Sequence, residues 1–176
     1  FTFARKTYVY QVETSKQQGR HVWHERESSG LRWRVNTIVK AHNRLYVGDD
    51  ATDKIGIINS RVYTEYGDTV RRVFTTQPFN FDGAPAFVGS YELAMAVGVG
   101  NASTTDPVVT HRYSTNGITF LPVSFTRSMG KQGEFSHRVV WRRMGNIEQK
   151  RVLEFSTNEP CETTFFRLEA EMETSG

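Results

Sequence analysis

Apolar and polar side chains alternate with a period of two along most of the chain, most clearly in Leu31-Arg32-Trp33-Arg34-Val35-Asn36-Thr37. Leu31, Trp33 and Val35 fall on one side and Arg32, Arg34 and Asn36 on the other, the pattern of a half-buried strand. Turn residues precede the run at Ser28-Ser29-Gly30, so His21 to Arg26 and Leu31 to Lys40 are predicted to pair as a hairpin. His42-Asn43 turns the chain into Arg44 to Val47, and Asp49-Asp50-Ala51-Thr52-Asp53 turns it again into Lys54 to Ile58. The segment Arg20 to Asn59 therefore reads as four short strands and three turns, about one propeller blade. A lone sheet of this kind leaves apolar edges and a face uncovered, so the unit is expected to belong to something larger.

Beyond it, Arg61 to Phe81 alternates more weakly and reads as a second hairpin, with Gly67-Asp68 at the turn and Pro78 at the exit. Gly and Pro concentrate in Asn80-Phe81-Asp82-Gly83-Ala84-Pro85, which puts a boundary between residues 1–82 and 83–176. In Phe87 to Val99, helix-favouring Glu92, Leu93, Ala94, Met95 and Ala96 compete with an alternation of Tyr91, Leu93, Met95 and Val97 against Glu92, Ala94 and Ala96. The alternation and the flanking glycines favour a strand. Val108 to Tyr113 and Ile118 to Phe125 flank Asn116-Gly117, a hairpin signal. Ser136 to Arg143 and Lys150 to Ser156 read as another hairpin. In the last strand Phe166, Leu168, Ala170 and Met172 share an inner face, with Arg167, Glu169, Glu171 and Glu173 opposite. The predicted class is all-β: propeller-like antiparallel blades over 1–82, then a β-sandwich-like antiparallel region over 83–176.

Composition agrees with a folded chain, since 38% of its 176 residues are hydrophobic and 23% charged. The net charge of +3 does not by itself announce a nucleic-acid binder. Its distribution matters more, because Arg138, Arg142 and Arg143 cluster while Glu162, Glu169, Glu171 and Glu173 crowd the end. Cys161 stands alone and forms no internal disulfide, which fits folding in a reducing compartment. The chain opens on Phe1-Thr2-Phe3, which reads as a fragment boundary, and neither a leader nor a long apolar run is apparent.

Catalytic motifs have no visible foothold, and the expectation is a protein that is not an enzyme and needs no cofactor. The five histidines, His21, His24, His42, His111 and His137, include no pair at metal-binding helical spacing. Asp49, Asp50 and Asp53 lack the alternation and closing glutamate of a helix-flanked calcium loop, and read as turn residues. Gly98-Val99-Gly100 lacks the third glycine and the helix of a dinucleotide site. Ser114-Thr115-Asn116-Gly117-Ile118-Thr119-Phe120 resembles the Asp-box hairpin of sialidases, with Asn for Asp, Phe for Trp and one residue missing. That box is structural in those families, and glycoside hydrolysis would further need a carboxylate pair, a tyrosine nucleophile or an arginine cluster in a pocket.

Laid out in order, Trp23-His24-Glu25-Arg26, Trp33-Arg34-Val35, Tyr46-Val47-Gly48-Asp49, Ile55-Gly56 and Tyr63-Thr64-Glu65-Tyr66-Gly67 resemble the packaged-DNA stabilisation proteins of short-tailed, P22-like bacteriophages. The second half is similar too, through Arg112-Tyr113-Ser114-Thr115-Asn116-Gly117, Met129-Gly130, Gly133-Glu134-Phe135, Arg138 to Gly145 and Val152-Leu153-Glu154-Phe155. Each motif is only a strand end or a turn, and the specificity lies in their ordered recurrence over most of the chain. The resemblance implies a structural virion protein of the tail hub, or nozzle, in a ring of six copies that closes the portal channel after genome packaging. The implied partners are identical copies, the head-to-tail adaptor, other tail proteins such as needle, tailspike or fibre, and the packaged DNA without sequence specificity. No membrane partner is implied, and assembly would take place in the bacterial host cytoplasm before the protein resides in the virion tail. The family protein is longer, which suggests that earlier blades precede this segment.

A gasket of this kind works through subunit contacts, where Tyr, Trp and Arg concentrate binding energy. Arg32 with Arg34, or Arg138 with Arg142, are the candidate basic faces, and Glu169, Glu171 and Glu173 the candidate acidic face of a neighbour. The rival is a carbohydrate-binding or glycan-hydrolysing β-propeller, sialidase-like, in which Trp23, Trp33 and Trp141 would stack on sugar rings.

Overall fold

Strands make up nearly all the regular structure of the computed structural model, which describes residues 1–81 and 85–174. The chain divides into two units, Phe1–Val70 and Arg71–Gly176. Asp82-Gly83-Ala84, where the sequence suggests the boundary between 1–82 and 83–176, lies outside the described residues. The division falls earlier because two short strands, Arg72–Thr75 and Phe79–Asn80, pair with Lys150–Thr157 of the second half.

In the first unit, β1 (Thr7–Tyr10), β2 (Trp23–Ser28) and β3 (Leu31–Arg32) form one antiparallel sheet. Helix α1 (Val12–Gln18), which the period-two pattern does not announce, links β1 to β2; Glu13, Lys16, Gln17 and Gln18 are good helix formers and Gly19 ends it at φ 64°. A second sheet holds β4 (Val35–Ala41), β5 (Arg44–Asp49) and β6 (Ile55–Ile58) in that order. A hairpin of β7 (Thr64–Glu65) and β8 (Asp68–Thr69) turns at Tyr66-Gly67, both at positive φ.

The expected four-stranded blade is therefore split. The strand predicted from Leu31 to Lys40 breaks at Trp33-Arg34, where both residues are held by side chains from outside the strand. The Arg34 amide donates to Ser28 Oγ at 3.1 Å and the Trp33 indole donates to Glu65 at 2.8 Å, which turns the chain out of the first sheet before β4 begins. Val35 and Val47 are buried in this unit, yet Leu31, Ile38, Val39, Ile55 and Ile57 are exposed. Three small sheets bury little apolar surface by themselves.

The second unit adds β9 (Arg72–Thr75), β10 (Phe79–Asn80), β11 (Ala86–Met95), β12 (Val108–Ser114), β13 (Phe125–Ser128), β14 (Val139–Ile147), β15 (Lys150–Thr157) and β16 (Phe165–Thr174). One sheet runs β10-β15-β12-β13, with β9 also on β15; the other runs β14-β11-β16. Their inner faces share one core of Val88, Tyr91, Leu93, Val109, Met129, Val139, Trp141, Leu153 and Phe155. This is a sandwich built on period two.

β11 is a strand, as the alternation predicts, and a bulge at Gly89 resets its phase. Ala86 and Val88 point inward before it; Tyr91, Leu93 and Met95 do so after it. Three expectations fail here for local reasons. β14 and β15 do not pair as a hairpin but lie in different sheets, with Arg151 donating to the Met144 and Asn146 carbonyls at 2.8 and 2.6 Å across the corner. The strand expected over Ile118 to Phe125 is a loop, because Asn116 Oδ1 accepts the Ile118 and Thr119 amides and Pro122 follows; β13 starts only at Phe125. Phe166, expected inside, is 69% exposed: a second bulge opposite Ala94-Met95 makes Phe165 the inward ring.

Candidate assembly surfaces

The two basic candidates of the first unit are tied up at home. Arg34 grips Asp49 with two hydrogen bonds, one of 2.7 Å from Nε, lies 3.7 Å from Asp68 and stacks on the Tyr66 ring at 4.8 Å. The Asp49 side chain is inaccessible to solvent, and Arg34, with help from the Thr52 hydroxyl and the Ala51 amide, holds its carboxyl well below the usual carboxylate range against the opposing effect of burial. Within the three-aspartate turn, Asp49 accepts the Ala51 amide at 3.0 Å, the local turn bonding that the sequence suggests. Arg32 pairs with Asp50 and remains partly exposed. Arg34 is a structural clamp; Arg32, paired with Asp50, is the more exposed of the two.

In the second unit the remaining candidates fall on one surface, the outer face of the β14-β11-β16 sheet. Cross-strand register sets them in rows: Arg142, Ser90 and Glu171 in one, Val140, Glu92 and Glu169 in the next, and Asn146, Phe87 and Glu173 beyond the bulge. Period two places them so, because the intervening residues Tyr91, Leu93, Trp141, Leu168 and Ala170 face the core. Arg138, just before β14, donates to Glu92 from Nε at 2.8 Å and holds that carboxyl below its ordinary value. Arg167 pairs with Glu169 at 2.6 Å, and Ser90 donates to Glu171 at 3.0 Å. Arg142, Arg143 and Glu173 form no ion pair among the described residues. A depression at the bulge lies between them, lined by Phe87, Gly89, Ser90, Arg142, Arg143 and Glu171. Positive charge gathers on the β14 side of this face and mostly negative charge on the β16 side, where Arg167 is the exception.

Sequence reasoning missed the buried polar groups that set this geometry. Glu154 receives Arg112 at 2.6 and 3.1 Å and Arg71 at 2.8 Å, anchoring the segment before β9 to β15. His111 is fully buried among Tyr91, Tyr113, Phe125, Trp141 and Phe155, with ring centroids 5.0–6.4 Å away. Neither ring nitrogen has a hydrogen-bond partner, and burial, with Arg151 adding, pushes the imidazole down to about 4 despite a favourable backbone contact at Glu154 that falls short of hydrogen-bond geometry. The signal that could have found it is position: His111 shares strand parity with Val109 and Tyr113. The tryptophans are likewise engaged. Trp141 is buried and donates to the Phe125 carbonyl at 2.9 Å, Trp33 lies under Arg26 at 4.8 Å, and Trp23 packs on Tyr10 and Phe1.

The second unit, a two-sheet sandwich from Arg71 onward, coincides with a family match. The family model described as Bacteriophage P22 Gp10, beta-sandwich, matches residues 71–173, more than half of the chain. The chain belongs to this family. The P22 Gp10 sandwich family marks it as a structural protein of a bacteriophage tail, and the match starts where the contacts divide the chain. A search of curated proteins gave no match. Among the described residues, no helix is long and apolar enough to cross a membrane.

Proposed function

We propose that this member of the P22 Gp10 sandwich family acts in the tail hub, or nozzle: a ring of identical copies, six by resemblance, that closes the portal channel, stabilises the packaged DNA and links the head-to-tail adaptor to other tail proteins. The observation that carries the reading is the family match over the sandwich. Two structural features support it. The sandwich presents a sheet face with Arg138, Arg142 and Arg143 on one flank and Glu169, Glu171 and Glu173 on the other, so identical copies placed head to tail would meet with opposite charge. The small sheets of the first unit expose Ile38, Val39, Ile55 and Ile57, as an incomplete propeller blade awaiting neighbouring blades would. DNA would be held by a rigid, many-copy closure, with weak, salt-dependent phosphate contacts of the kind a +3 chain allows.

The deciding experiment is electron microscopy of particles together with native mass spectrometry of the purified protein. A ring of identical copies at the tail vertex is expected, and Glu169→Lys with Glu171→Lys should impair its formation. A protein found elsewhere in the virion, or rings unaffected by both reversals, would overturn the reading or its interface respectively.

A further inference from the structure

The sandwich shields one flank of its β14-β11-β16 sheet and leaves the other bare. On the β14 flank, the Val140 carbonyl accepts from Arg127 Nε at 3.0 Å, and those of Met144 and Asn146 accept from Arg151. The Trp141 indole adds a tie to the Phe125 carbonyl of the facing sheet. On the other flank, β16 pairs with β11 along one side and with no strand along its far side among the described residues. Its ten residues, Phe-Phe-Arg-Leu-Glu-Ala-Glu-Met-Glu-Thr, hold neither the proline nor the lysine that commonly blunts an exposed edge, and its bulge lies only at the Phe165 end.

The side chains along that edge state what would fit. Glu169, Glu171 and Glu173 project from the outer face beside Arg167, which pairs with Glu169 at 2.6 Å and leaves the row net acidic, while the inner row of Leu168, Ala170 and Met172 packs on the core without being fully covered. Among the described residues the facing sheet has no strand beyond β9 on the same flank, where Val73 and Phe74 are partly exposed and the Phe74 ring lies 5.8 Å from Phe165. A strand laid beside β16 would continue both rows: apolar side chains inward, basic ones outward beside the glutamates. Two copies cannot satisfy each other symmetrically here, because pairing β16 with β16 sets acidic rows side by side. The β14 edge of a second copy is equally unsuitable, its carbonyls being occupied by Arg127 and Arg151.

We propose that the free edge of β16 accepts an extended strand from a partner polypeptide whose side chains alternate apolar and basic. The inference rests on the reading of this acidic strand as an assembly surface and assigns its backbone edge, as distinct from the outer face that would meet an identical copy, to a different polypeptide. The probe is a fluorescein-labelled peptide, Lys-Val-Lys-Val-Lys-Thr-Lys-Val, followed by anisotropy on the full chain and by hydrogen exchange. It should bind, slow exchange of the β16 amides, and lose affinity by roughly tenfold or more when Glu169, Glu171 and Glu173 are all changed to Lys. A version N-methylated at alternate residues, which keeps the charge and removes backbone donors, should lose affinity similarly. Unchanged β16 exchange at saturating peptide, equal binding of the N-methylated version, or equal binding of a Glu-Val counterpart would each overturn the proposal. If the charge reversals spare ring formation but abolish peptide binding, the assembly reading fails and strand addition stands; the converse result sinks strand addition alone.

Discussion

Acid should loosen the sandwich from the inside, through His111. The imidazole is neutral in the fold, held down to about 4 from 6.5 by burial among five rings. An unfolded chain takes up that proton near 6.5, so between 6.5 and 4 the unfolded state binds more protons than the folded one. Stability is then full above 6.5 and falls as pH drops through this window. The gap corresponds to about 3 kcal/mol when both states have titrated, and to about 2 kcal/mol already at pH 5. Glu92 and Glu134, which their partners hold below the ordinary carboxylate value of 4.5, surrender their contributions only further down. The assay is urea unfolding at pH 7.5, 6 and 5 in a background where Trp23 and Trp33 are Phe, so that Trp141, whose ring lies 5.6 Å from His111, reports alone. His111→Phe keeps a ring in the cage and removes the proton, and should flatten the loss. An equal pH dependence in parent and variant, or a parent insensitive between pH 7.5 and 5, would refute the reasoning.

Other expectations concern single contacts. Gly98→Ala should destabilise the second unit by about 2 kcal/mol or more in urea melts, since Gly98 sits at φ +70° and an added Cβ would lie 2.8 Å from the Glu134 carbonyl carbon. Glu154→Ala leaves Arg112 and Arg71 without their shared carboxylate; a cost of about 2 kcal/mol is expected, discounted because both arginines are partly exposed. Trp141→Phe removes the indole bond to the Phe125 carbonyl and should cost about 1–2 kcal/mol, read from the shift in the thermal midpoint.

The all-β class and the inward set of β11 were legible because both depend on alternation, which a sequence displays directly. The Gly89 bulge explains why Tyr91, Leu93 and Met95 keep parity with one another but not with Val88. Where the reading failed, side chains overruled local pattern. Asn116 drew the chain after the Asn-Gly turn into a loop, and Trp33 with Arg34 ended one sheet and began the next. The apparent hairpin at Met144 to Gln149 crosses between sheets, a distinction that depends on which distant strand each segment meets. The candidate site was half legible. Charge grouping pointed to Arg142 on β14 and to the glutamates of β16, which share one sheet face, but only register shows that Arg142 and Glu171 share a row while Arg34 is consumed by Asp49.

The placement of β16 also governs when this domain can fold. β11 is the central strand of its sheet, and its contacts with β16 span sequence separations such as the 81 residues between Ser90 and Glu171. At roughly 5–20 residues per second of synthesis, β11 emerges from the ribosome on the order of ten seconds before its neighbour does. Until β16 arrives, one edge of β11 has no pairing partner, and the nascent chain is an unfinished sheet open to misplaced pairing. The last strand therefore acts as a latch on the whole sandwich, and a ribosome stalled short of Phe165 would present the cell with an aggregation-prone intermediate in place of a smaller stable domain.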